Sequence, residues 1–245
     1  MFFPTFKRLK TSCIVVLIAF FAVACNKKEV PSPAWPYGKE YFPLKTGNYV
    51  IYECDSTVYN DLPRDTIVYR FQLKERIGES FTDNEGGDAY RIERFVRTYH
   101  PSTPYDSIAW RMKEVWMLNL DQEKLSISEG NRRFTRLVFP VKINSSWNGN
   151  AQNSLGEEIY SYEYIDKKEK IKQQSFEKVL KVKQRDFKTL ISYEGRAEKY
   201  ASGIGLVSKE SAEYYSNTIK NGVALEKRIE YGFIYKQNIV AHGTE

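Results

Sequence analysis

The chain has 245 residues, of which 42% are hydrophobic, 28% charged and 15% aromatic. This globular composition excludes a collagen-like or low-complexity polymer and leaves room for one large β domain or two small ones. The formal charge of +6 is carried partly by Lys7, Arg8 and Lys10; without them 34 basic residues face 31 acidic ones, a balance of +3 with no nucleic-acid signature.

The first segment reads as an export signal. Lys7, Arg8 and Lys10 form a basic region, and Cys13 to Ala24 ("CIVVLIAFFAVA") an apolar core. Twelve residues are too few to span a bilayer stably, but suit a secretory signal. The core ends in "AVAC", with small residues at Ala22 and Ala24 before Cys25. This resembles a bacterial lipoprotein signal, with Ala22 in place of the commoner Leu. The resemblance implies cleavage between Ala24 and Cys25, and acylation of the Cys25 thiol and of the new amino terminus. Several acyl chains at ~0.8 kcal/mol per buried CH₂ would make such an anchor effectively permanent.

Residues 1–24 are thus a signal peptide, 25–40 a lipidated tether and 41–245 a single β domain. The tether holds Pro31, Pro33 and Pro36, which favour an extended path. Its Lys27 and Lys28 are read as solvated. With Cys13 removed and Cys25 acylated, only Cys54 remains, so the mature chain has no internal disulfide. No His or basic residue lies beside Cys54 to activate it, and its expected role is that of a small buried side chain.

The body reads as strands. In "TIVYRFQLK" (66–74), Ile67, Tyr69, Phe71 and Leu73 share one face opposite Arg70, Gln72 and Lys74. Ten further stretches read the same way: "NYVIYECDSTVY", "AYRIERFVRTYH", "IAWRMKEVWMLNL", "KLSISEG", "FTRLVFPV", "IYSYEYI", "VLKVKQ", "TLISYEGRAEKYA", "GLVSKESAEYY" and "RIEYGFIYKQNI". Turn residues separate them at "DNEGGD", "EGN", "NGN" and "KNG". "KKEKIKQQSFEKVL" fits a helical period poorly and is read as a charged turn entering a strand. The expected fold is an all-β antiparallel meander curled into a barrel or half-barrel, preceded by the signal peptide and flexible tether.

Two phrases echo one another: "YFPLKTGNYVIY" at 41–52 and "VFPVKINSSWNG" at 138–149. Pro43 and Pro140 belong at strand entries or bends, Gly47-Asn48 and Asn144-Ser145-Ser146 form turns, and Tyr49 and Trp147 follow as caps of the core. Either the two units open two halves of one architecture, or the echo is coincidence in an aromatic-rich β chain.

"YFPLKTGNYVIY", "FPVKINSSWNGN", "SFEKVLKVKQRD" and "KYASGIGLVSKE", in that order, resemble a family of uncharacterised Gram-negative cell-envelope lipoproteins. Its members pair a YFPL-x-x-GN opening with a late A-x-G-x-GLV motif. Tyr49 and Val50 stand where many members carry Trp. The resemblance, over most of 41–210, implies an antiparallel β fold and an envelope location, with no known catalysis.

Chemistry-bearing motifs are sparse. "SGIGLV" (202–207) lacks the third glycine and following helix of a nucleotide cradle. His100 and His242 have no metal-ligand spacing, and "DNEGGD" lacks the alternating positions of a calcium loop. No catalytic residue, metal or cofactor is assigned. Asp55-Ser56-Thr57, Asp65-Thr66-Ile67 and Asp106-Ser107-Ile108 resemble an O-glycosylation sequon, making Ser56, Thr66 and Ser107 candidate acceptors, against a background in which such triplets arise freely.

A non-catalytic binding or structural role in the envelope is the first functional expectation. The alternative is a carrier of lipid or another apolar ligand in a half-barrel; a hydrolase is a distant third. The expected partners are the membrane, through the anchor, and an envelope protein or apolar ligand, but no nucleic acid. The expected location is the outer membrane, facing the periplasm, since Lys27, Lys28 and Glu29 match an acidic surface-export signal poorly. A carrier should line a cavity with aromatics such as Tyr69, Phe71, Trp110 and Trp116; a structural protein should fill its interior with them.

Overall fold

The computed structural model describes residues 38–245. The expected signal peptide, the expected cleavage site at Ala24 and Cys25, and the expected tether as far as residue 37 lie outside the described residues.

Among the described residues, period-two alternation is expressed as twelve antiparallel strands in one sheet. They are β1 (Asn48–Asn60), β2 (Asp65–Thr82), β3 (Asp88–Thr98), β4 (Arg111–Leu120), β5 (Lys124–Glu129), β6 (Arg132–Val138), β7 (Ser146–Asn148), β8 (Ile159–Ile171), β9 (Gln174–Lys188), β10 (Ser192–Ala201), β11 (Gly205–Tyr215) and β12 (Tyr231–Thr244). Eleven coincide with stretches legible in the sequence. The twelfth, β7, lies in the segment read as a turn and cap. Ser146, Trp147 and Asn148 become a strand by pairing with Ser161, Tyr160 and Ile159.

The spatial order is β6-β5-β4-β3-β2-β1-β12-β11-β10-β9-β8-β7. One meander runs outward from β1 to β6. The chain then crosses to the far edge, and a second meander returns from β7 to β12, which pairs with β1 from Asn48↔Thr244 onward. The two echoed phrases stand at the entries to these meanders, before β1 and before β7. Phe42, Leu44, Phe139, Val141 and Trp147 all pack into the same core cluster. Residues 38–40, assigned above to the tether, belong to this packing. Gly38 is buried with φ +81, and a Cβ there would lie 2.2 Å from a Val141 methyl.

The edges β6 and β7 almost meet, so the sheet is a nearly closed barrel. Thr135 N donates to Gly149 O at 2.9 Å, and Trp147 Nε1 donates to Thr135 O at 2.9 Å. The Tyr162 hydroxyl bonds both the Val138 amide and its carbonyl, at 2.9 and 2.6 Å. These contacts occupy edge groups that would otherwise stay unpaired. The charged segment at 167–180 is the β8–β9 hairpin. It turns at Lys172 and reaches past β10 and β11: Lys172 Nζ contacts Glu53 at 3.2 Å and Gln174 Nε2 donates to Val240 O at 2.7 Å. Glu53 alternates with the inward Tyr52 and Cys54, so this hairpin covers the outer face.

Two apolar clusters fill the end of the barrel where β1 begins, here termed the base. One gathers Leu118, Leu125, Leu137, Leu180, Val182 and Tyr200; the other Tyr52, Leu73, Val179, Val207 and Ile239. Each fully buried aliphatic side chain contributes about 1.5–3 kcal/mol. Both clusters lie within one compact unit, Pro36–Glu245, which therefore carries its own core.

Candidate functional site

Register fixes which side chains share the inner face. Opposite Tyr52 stand Leu73 and Ile239; opposite Cys54, Phe71 and Gln237; opposite Ser56, Tyr69 and Tyr235. On β3, Thr98 and Val96 oppose Phe71 and Leu73, and Arg94 opposes Glu75. Climbing β1 from base to rim, the inward residues shrink from Tyr52 to Cys54 to Ser56. At the base tyrosine and leucine fill the space; toward the rim they leave it open.

One step past Leu73 on β2 and past Val96 on β3, toward the start of β1, the inner face carries ionised groups. Arg94, 6% exposed, donates to Glu75 at 2.9 Å and to Glu114 at 2.5 Å, and its guanidinium sits 3.5 Å from the Trp116 ring centroid. Trp116 Nε1 donates to the other oxygen of Glu114 at 2.9 Å. Arg136 pairs with Glu129 and, at 3.2 Å, with Glu198, which also meets Lys209 at 3.3 Å and the Tyr200 hydroxyl at 2.7 Å. Burial alone would raise the Glu198 carboxyl, but Arg136, then Lys209 and the Tyr200 hydroxyl, hold it down at about 2. Burial opposes the charge on Arg94, yet Glu75 and Glu114 outweigh it and raise the guanidinium further. These groups enclose a space of about 30 Å³ with Gln237, whose Nε2 is buried without a partner among the described residues. A polar void of that size suits a single water.

Above this floor a groove of about 710 Å³ opens on the inner face, lined by Ser56, Tyr69, Phe71, Val96, Thr98 and Tyr235, with Tyr99, Arg70 and Lys113 at its margins. Tyr69 is 51% exposed, an unusual condition for a tyrosine on the inner face of a sheet. The volume falls within the range typical of small-molecule sites, and the walls are mainly apolar. The Tyr235 hydroxyl donates to Gln237 Oε1 at 2.8 Å and lies 3.4 Å from Cys54 Sγ, tying the groove to the floor.

The four aromatics named from the sequence divide. Tyr69 and Phe71 line the groove. Trp116 packs in the floor against Arg94. Trp110 is a correction: it lies 4.4 Å from Arg97, which bonds Gln72 at 2.8 Å on the outer face, where the β3–β4 loop folds back. The inner-face charges Arg94, Arg136 and Glu198 were missed. Their signal was parity, since Arg94 lies two residues from both Ile92 and Val96, and Glu198 two from Tyr200.

Cys54 is 1% exposed, and burial pushes its thiol up to about 12, in keeping with the buried role assigned to it. Ser56 faces the groove; Thr66 and Ser107 are exposed on β2 and in the β3–β4 loop. His100 sits in that loop near Ser102 and Thr103, while His242 pairs with Val50 on β12, so the two histidines are not brought together. "SGIGLV" forms the β10–β11 turn, with Gly203 at φ +79 and Gly205 at φ +108. "DNEGGD" closes the β2–β3 hairpin; the Asp83 carboxylate accepts from the amides of Glu85 and Gly87 at 2.9 and 2.8 Å.

No family model and no curated protein matches the chain. Among solved structures, an exported protein with a YmcC-like fold from Bacteroides fragilis is 11% identical, with 83% of this chain and 98% of that one covered and a TM-score of 0.44. An outer membrane lipoprotein-sorting protein domain from Vibrio parahaemolyticus is 12% identical over 81% and 86% of the chains, with a TM-score of 0.19. A LolA superfamily protein from Nitrosomonas europaea is 11% identical over 84% and 89%, also at 0.19. Likenesses this distant carry no argument about a ligand, which must come from the groove itself.

Proposed function

We propose that this chain is a non-catalytic binding protein of the bacterial cell envelope that takes an apolar ligand in the rim groove. The carrying observation is the groove: about 710 Å³ of mainly apolar inner face left unfilled above a packed and ion-locked floor. Residue size is the physical cause. Ser56 sits between Tyr69 and Tyr235 where a larger residue would close the space. Cys54, Tyr52 and Leu73, buried directly below Ser56 and Phe71, fix the groove's depth and leave no room there for an apolar tail. This ranks ligand binding ahead of the partner-binding or structural role that the sequence alone favoured. Nothing in the proposal requires a reacting side chain.

The "AVAC" signal supports an anchor at Cys25, and the domain is proposed to face the periplasm. A Cys25→Ser chain should then leave the membrane fraction, and protease added to intact cells should spare the domain.

The ligand-binding proposal is tested with N-phenyl-1-naphthylamine, a dye that fluoresces in apolar surroundings. The Pro36–Glu245 unit should enhance its emission saturably. Ser56→Tyr, which fills the groove from its β1 wall, should abolish the enhancement without changing the β circular-dichroism spectrum. Equal enhancement by both proteins would refute the assignment. Mass spectrometry of protein purified from membranes should reveal the co-extracted ligand.

A further inference from the structure

We infer that the groove is built for a fatty carboxylate: a single alkyl chain with one terminal negative charge, held at the head by Lys113. This rests on the apolar-ligand reading and adds the chemistry of the headgroup. The groove's lining contains two cations, Arg70 and Lys113, and no carboxylate. Arg70 faces Asp55 at 3.6 Å, with both side chains half exposed. Lys113 is less well matched. Its carboxylate neighbour is Glu114, at 3.3 Å, but the same oxygen accepts from Arg94 at 2.5 Å and the other accepts from Trp116. Glu114 is thus shared between Arg94 and Lys113, and the Lys113 ammonium, 45% exposed, has further donors to offer the groove. Burial would raise the Glu114 carboxyl, yet Trp116, Arg94 and Lys113 together hold it low, consistent with its serving two cations at once.

The other polar groups of the groove suit the same head. Ser56 and Thr98 place hydroxyls on the inner face of β1 and β3, and neither has a side-chain hydrogen bond among the described residues. One ammonium and two hydroxyl donors match a monoanion. The walls of Tyr69, Phe71 and Val96 match an alkyl chain, whose burial is favourable by about 0.8 kcal/mol per CH₂. A neutral chain would gain the walls without adding a charge partner for Lys113.

The experiment measures displacement of N-phenyl-1-naphthylamine from the Pro36–Glu245 unit by dodecanoic acid and by 1-dodecanol at pH 8, where the free acid is ionised. That unit is used because it carries both core clusters. Dodecanoic acid should compete about fivefold better than the alcohol, the scale of a half-exposed charge pair. Lys113→Gln should erase that preference while leaving the alcohol's competition unchanged, and Lys113→Arg should retain it. Equal competition by acid and alcohol in the unsubstituted protein, or a preference that survives Lys113→Gln, would overturn the headgroup assignment and leave the apolar groove standing. Failure of both compounds and of the dye to bind would overturn the apolar-ligand reading as well.

Discussion

Replacing Arg136 by Met should destabilise the domain by an amount that depends on pH in a specific direction. Arg136 is 5% exposed and pairs with Glu129 and Glu198, and Glu198 is itself 2% exposed. Removing one member of a buried pair costs about 3–5 kcal/mol, because the remaining charge stays desolvated. That is a large share of a typical stability of about 5–15 kcal/mol. In the unsubstituted protein the Glu198 carboxyl is depressed from 4.5 to about 2. A depressed acid contributes stability that is present above its unfolded value and lost as pH falls through the folded value. The contribution is about 3 kcal/mol, disappearing between about pH 5 and pH 2. In Arg136→Met the Glu198 carboxyl loses the first of its two cations, keeping only Lys209 and the Tyr200 hydroxyl against burial, so it rises and lowering the pH relieves part of the penalty. Urea denaturation midpoints at pH 7 and pH 4 provide the assay. The two proteins should differ by about 3–5 kcal/mol at pH 7 and by clearly less at pH 4. A penalty below about 1 kcal/mol at pH 7, or one unchanged at pH 4, would refute the argument that Arg136 holds a buried carboxylate in its ionised form.

Two other outcomes follow from the fold. Trp147→Phe keeps an aromatic ring beside Tyr160 and Tyr162 but deletes the donor to Thr135 O across the β6–β7 edges. It should lower stability by about 1 kcal/mol and speed hydrogen exchange of the Thr135 amide; unchanged exchange would mean that the seam does not depend on this bond. Cys54, buried on the inner face with its thiol pushed up to about 12, should resist a maleimide at pH 8 and react once denaturant is added. Rapid labelling of the native protein would show that the floor is open to solvent.

The strands were legible wherever one face was apolar without interruption. Ile67, Tyr69, Phe71 and Leu73 alternate against polar residues, so β2 could be read directly, although it extends to eighteen residues. β7 could not, because three residues rich in Ser and Asn carry no period and acquire their strand conformation from β8. The central pairing of β1 with β12 was also illegible: Asn48 and Thr244 are brought together by the return of the second meander. The floor was hidden for a related reason. Arg136 and Glu198 look like ordinary solvent-facing charges in their own strands, and only the closed sheet places them opposite one another. Trp110 follows the proline-containing stretch 101–104, and no local signal indicated that the loop carrying it folds outward.

The groove also bears on the sequon-like triplets, because one of them contributes Ser56 to its wall. Ser56 lies on the inner face between Tyr69 and Tyr235, where an attached sugar would displace the proposed ligand and press against two aromatic rings. Thr66 is paired with Tyr59 near the β1–β2 tip and is exposed, and Ser107 ends an exposed turn of the β3–β4 loop. Modification before folding would reach all three hydroxyls alike, whereas modification of the folded domain would reach only the latter two. A sugar on Ser56 and an alkyl chain in the groove are therefore competing fates for one space. The small hydroxyl residue that makes the triplet resemble a sequon is the same residue whose size leaves the inner face open.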